Sequence, residues 1–91
     1  MTVEELKCFF KEHLVPSKLY EIGKEHDQRV CLTKNDGVWE VYFFDHKKKI
    51  GLMRFTDENS ACQSMMNELR KIMESIYEIT WKPILPYSLS K

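Results

Sequence analysis

Between Arg29 and Phe55 the chain reads Arg-Val-Cys-Leu-Thr-Lys-Asn-Asp-Gly-Val-Trp-Glu-Val-Tyr-Phe-Phe-Asp-His-Lys-Lys-Lys-Ile-Gly-Leu-Met-Arg-Phe. It comprises three runs rich in β-branched and aromatic residues, parted by two wholly polar turns. Asp and Gly tolerate the positive φ that a tight hairpin loop requires, so Asn35-Asp36-Gly37 marks the first turn. Asp45 to Lys49 marks the second. Few arrangements other than an antiparallel meander accommodate this spacing. Leu19 to Gly23 is short and alternating, and predicts a further strand at the front, joined to the Arg29 run by a hairpin loop over Lys24 to Gln28. The sheet expected is therefore a four-stranded antiparallel meander.

Two amphipathic segments flank it. Thr2 stands three residues ahead of Glu5, the spacing of a capping box. Val3, Leu6, Phe10 and Leu14 then recur at helical period, widened by Phe9, until Pro16 ends the helix. On the far side, Thr56 caps a long helix to about Ile79, with Asp57 and Glu58 complementing its dipole. Ala61, Met65, Leu69, Ile72, Met73 and Ile76 form its stripe, widened by Cys62, Met66 and Tyr77. The methionines read as adaptable core filler. The order is thus α-β-β-β-β-α, an α+β chain, and 91 residues suffice for one domain over 1–91 that buries about two-thirds of its unfolded surface. Residues 80–91 read as an extended tail laid on that domain, with Trp81 as its anchor and Pro83 and Pro86 as its punctuation.

Fourteen basic side chains balance fourteen acidic ones, so no global field steers the chain toward nucleic acid or an anionic membrane. No run approaches the roughly eighteen apolar residues that span a bilayer, and the N-terminus lacks a basic-then-apolar leader pattern, which together predict a cytoplasmic protein. Cys8, Cys31 and Cys62 are odd in number and set among apolar neighbours, as expected of buried, reduced thiols. There is no Cys-x-x-Cys and no helical His pair, so neither a metal site nor a cofactor is expected. His13, His26 and His46 have no acid or nucleophile at a catalytic spacing, His26-Asp27 reads as a solvated loop, and no phosphate-cradling glycine loop or nucleophile elbow occurs. Catalysis is not expected.

Along the third strand, alternation separates Trp39, Val41 and Phe43 from Glu40, Tyr42 and Phe44. The uncharged set belongs to the core, with both helices on that face. Two aromatics beside an acid on the other face mark either a partner surface or a face covered from within the chain. With Asp36 and Asp45 at the flanking turns, Glu40, Tyr42 and Phe44 are the candidate partner-binding residues.

Asn35-Asp36-Gly37-Val38-Trp39-Glu40-Val41-Tyr42 followed by Phe55-Thr56-Asp57-Glu58-Asn59-Ser60-Ala61-Cys62 resembles small immunity proteins of bacterial polymorphic and contact-dependent growth-inhibition toxin systems. Asp45-His46-Lys47 stands where an acid-Arg-Gly turn often follows in that pattern. The resemblance covers about a third of the chain. It implies a protein that binds and neutralises a cognate toxin, often a nuclease, by covering its active site or an exosite. Two other readings stay open: a small nucleic-acid-binding module using Lys47, Lys48, Lys49 and Arg54, and an accessory domain that forms a homodimer through its exposed strand face.

Overall fold

The computed structural model describes residues 1–81. Helix α1 spans Val3–Glu12, and a 3-10 turn at Ser17–Leu19 leads into β1, Tyr20–Ile22. Strands β2 (Arg29–Asn35), β3 (Val38–Asp45) and β4 (Lys48–Phe55) follow, and α2 runs Glu58–Tyr77. The strands lie in the order β1-β2-β3-β4. The fold is α+β, with both helices packed on one face of the sheet. The proline-containing part of the expected tail falls outside the described residues; Trp81 itself is half-buried, its ring edge-on to Phe9 at 5.2 Å.

One strand departs from the expected meander. β2-β3 and β3-β4 are antiparallel, but β1 pairs with β2 in parallel, Tyr20 opposite Val30 and Ile22 opposite Leu32. The sheet is therefore mixed. A parallel return normally needs a crossover of a dozen residues or more. Here β1 has three residues, about 10 Å of strand, and the six-residue segment 23–28 is long enough to travel back across that distance.

Val30, Leu32 and Val41 meet Leu6, Phe10, Ala61, Cys62, Met65, Met66, Leu69 and Met73 in one core, with Trp39, Phe43, Met53 and Phe55 packed around it. The alternation in β3 is thus resolved as expected. The α2 stripe is shorter than its sequence pattern, because Ile76 and Tyr77 extend past the sheet and are exposed. The cap of α2 is Asp57 rather than Thr56, its carboxylate accepting the Ser60 N–H at 2.8 Å. Glu58 reaches across to accept the Val3 N–H at 2.8 Å, so the first residue of one helix satisfies an orphan donor of the other. Cys31 and Cys62 are buried, but Cys8 is exposed, since it lies on the outer side of α1.

The end of α1 also differs from expectation. Leu14 belongs to the apolar stripe by spacing, yet it is 80% exposed at φ +56. It occupies the left-handed position after the helix: the Val15 N–H donates to Phe10 O at 2.9 Å and the Leu14 N–H to Lys11 O at 3.2 Å. That pair of bonds closes the helix before Pro16 is reached, at a position where glycine is the usual residue. Leu14→Gly should accordingly raise the unfolding free energy by about 0.5–1 kcal/mol, because it relieves the left-handed cost of a side chain that packs on little. Urea denaturation measures this directly, and an unchanged or lower midpoint would count against the strain.

Candidate functional site

The face of the sheet away from the helices carries Glu21, Arg29, Cys31, Thr33, Glu40, Tyr42, Phe44, Lys49 and Arg54, placed together by the strand register. Segment 23–28 lies over its centre. The His26 N–H approaches the Cys31 sulfur at 3.4 Å, and the Tyr42 hydroxyl donates to Glu25 Oε2 at 2.8 Å. At its far end the segment is fastened to the β3-β4 turn, where the His46 N–H donates to Asp27 Oδ1 at 2.8 Å and Gln28 Nε2 to Asp45 Oδ1. The Gln28 N–H also donates to Phe44 O at 2.7 Å, which extends the β2-β3 ladder by one bond.

Of the two readings of the Tyr42 face, the structure has cover from within the chain, supplied by segment 23–28. Tyr42 is only 2% exposed. Burial, with Glu25 beside it, holds the phenol well above the ordinary tyrosine range, so it remains a donor. Burial likewise raises the Cys31 thiol, and takes that of Cys62 to about 11. Glu40 is 6% exposed and both of its oxygens are taken, by Lys49 Nζ at 2.8 Å and Arg54 Nε at 3.0 Å. Those two bonds hold its carboxyl below the usual glutamate range. The Lys49 ammonium also sits 5.0 Å from the centre of the Tyr42 ring and 3.9 Å from Glu25. Glu40, Lys49, Tyr42 and Glu25 thus form one connected network.

Of the five residues expected to bind a partner, Glu40 and Tyr42 are therefore internal. Phe44 is half-buried, edge-on to Tyr42 at 6.2 Å, and keeps part of its ring available. Asp36 is exposed in the β2-β3 turn, where φ of +50 at Asp36 and +79 at Gly37 fit the expected tight hairpin. Asp45 is half-buried at the opposite end of β3, engaged by Gln28 and His46. The structure does not bring Asp36 and Asp45 together. A shallow depression of about 500 Å³ lies between Asn35, Asp36, Val38, Glu40, Lys49 and Arg54. Glu25 was missed by the sequence reading, since no local pattern links it to a tyrosine seventeen residues on. Lys49 and Arg54 were legible in principle, as opposite charges facing Glu40 across or near the strand pair.

The Glu40 pairing has a pH signature. A carboxyl held below its unfolded value of about 4.3 contributes stability that is present above that value and lost as pH falls through the folded value. Wild type should exceed Glu40→Gln in thermal midpoint by a constant margin between pH 7 and pH 5, and the margin should shrink below about pH 4. A margin independent of pH would remove the ion pairs as its cause.

No family model matches this chain, and a search of curated proteins and of solved structures likewise returned no match. No helix among the described residues is long and apolar enough to cross a membrane.

Proposed function

We propose that the chain is a binding protein of the immunity type, which neutralises a cognate toxin, a nuclease by preference, by covering its active site or a nearby exosite. The observation that supports this reading most is the second sheet face: a surface held rigid by the Glu40-Lys49-Arg54 and Tyr42-Glu25 contacts, with Phe44 half-open and carboxylates of Glu25, Asp27 and Asp36 exposed around it. Pre-organised surfaces lose little conformational freedom on binding, and exposed acids draw in a basic cleft. The contacts proposed are Phe44, Asp36, Glu25 and Asp27; Glu40 and Tyr42 act by holding that surface in shape. A nucleic-acid module fits less well, because Lys49 and Arg54 are already bonded to Glu40.

The test is to capture a partner with the tagged chain at high salt, then assay the partner's activity with and without the chain. Stoichiometric inhibition is expected, weakened about tenfold or more by Phe44→Ala combined with Asp36→Lys, which keep the hydrogen bonds among Glu40, Lys49, Arg54, Tyr42 and Glu25, and the unfolding midpoint of the variant checks that the fold is retained. A partner whose activity is unaffected by a saturating excess of the chain would sink the reading.

A further inference from the structure

Where α1 passes the outer edge of β1, a depression of about 430 Å³ is surrounded by Lys7 and Lys11 from the helix, Ser17 from the 3-10 turn, Tyr20 and Glu21 from β1, and Arg29 from β2. Three cations meet one acid there. The volume lies within the range of small-molecule sites. None of these side chains takes part in fastening segment 23–28. We infer that the depression binds a small phosphate monoester whose body carries hydroxyl groups, a compound of the sugar-phosphate class.

Which charges are available decides the chemistry. Lys11 has no ion pair among the described residues. Lys7, one turn before it on the same flank of the helix, meets Glu4 at 3.4 Å, and a pair that exposed contributes little. Two ammonium groups can therefore turn to one anion. Arg29 differs, because its Nη1 donates to Glu21 Oε1 at 2.9 Å with both side chains mostly buried. That pair stays together and is not a second anion site. Its Nε and Nη2, with Glu21 Oε2, have no other partner among the described residues, so donors and an acceptor stand side by side. A hydroxyl, which both donates and accepts, is their complement. Ser17 and Tyr20 add hydroxyls of their own, and burial, with Glu21 beside it, holds the Tyr20 phenol above its ordinary range. The sheet edge supplies one donor more: the Gly23 N–H bonds to Leu32 O, so alternation turns the Ile22 N–H outward. A nucleic acid fits less well, since the cations gather round one depression, in a chain of balanced charge, rather than spreading along a face.

The probe is ribose 5-phosphate, titrated to about 10 mM into the full chain at low salt while amide resonances are followed. Saturable shifts centred on Lys7, Lys11, Ser17 and β1 are expected, with binding about tenfold weaker for inorganic phosphate and none for ribose. Lys7→Gln combined with Lys11→Gln should weaken binding about tenfold or more, and the rest of the spectrum should hold because neither side chain is in the core. Affinity should also fall several-fold between about pH 7.5 and about pH 5, as the phosphate monoester gives up its second charge near pH 6. The lysine variant leaves Phe44 and Asp36 in place, so this inference and the toxin reading can fail separately. Absence of a saturable shift, a lysine variant that binds as tightly as wild type, or an affinity independent of pH overturns the inference. Inorganic phosphate binding as tightly as the sugar phosphate would mean an adventitious ion only. A short oligonucleotide that shifts the same amides at lower concentration would make the occupant a nucleic-acid backbone, and either result overturns the inference too.

Discussion

Tyr42→Ala should lower the unfolding free energy by about 3–5 kcal/mol, the range for removing a buried aromatic side chain. The ring lies beneath segment 23–28, edge-on to Phe44 and under the Lys49 ammonium, so nothing nearby is placed to fill the space it leaves. Tyr42→Phe removes only the hydroxyl that holds Glu25, and should cost about 0.5–1.5 kcal/mol because Glu25 can turn to water. Urea denaturation of the pair separates packing from tether. A second readout is Cys31, buried against the same segment with its sulfur near His26. Once the segment loosens, Cys31 should react with a thiol reagent at a rate approaching that of exposed Cys8 in Tyr42→Ala, and only modestly faster than wild type in Tyr42→Phe. A Tyr42→Ala protein within about 1 kcal/mol of wild type would mean that the ring behaves as a surface residue.

The same residue shows where the sequence stops being informative. Alternation in β3 places Val41 and Phe43 toward the helices and Tyr42 away from them, and both assignments hold because the period of a strand is local. What covers Tyr42 is a polar segment, Gly-Lys-Glu-His-Asp-Gln, whose composition carries no mark of burial. Its path is decided by Glu25, His26 and Asp27 finding Tyr42, Cys31 and His46, contacts that no periodicity encodes. The direction of β1 fails for the same reason. Three residues of strand look alike read either way, and only the course of segment 23–28 across the sheet makes the pair parallel. Leu14 illustrates the converse, an apolar residue at the right spacing whose backbone is needed to close a helix. The candidate site was thus legible as a face and a composition, but not as to which of its residues meet solvent.

Phe10→Ala should cost about 3–5 kcal/mol, a large share of the roughly 5–14 kcal/mol expected for a chain of this size. Helix α1 offers the core only two fully buried side chains, Leu6 and Phe10. Phe10 also packs against the Tyr20 ring, tilted at 52° with centroids 4.6 Å apart, so it joins α1 to β1 as well as to the core. The neighbouring Phe9 is half-buried, against His13 and Trp81, and Phe9→Ala should cost less than half as much. If α1 is integral to one cooperative unit, Phe10→Ala moves the single thermal transition down by about 15–30 °C and keeps it single. If α1 instead docks on a sheet and α2 that stand without it, the main transition stays where it was and an early, shallow loss of helix signal precedes it. The Glu58 bond to the Val3 N–H and the Phe10-Tyr20 contact tie the two ends of α1 to different parts of the fold, and that double attachment favours the single transition. Calorimetry on Phe10→Ala, with circular dichroism followed over the same range, distinguishes the two.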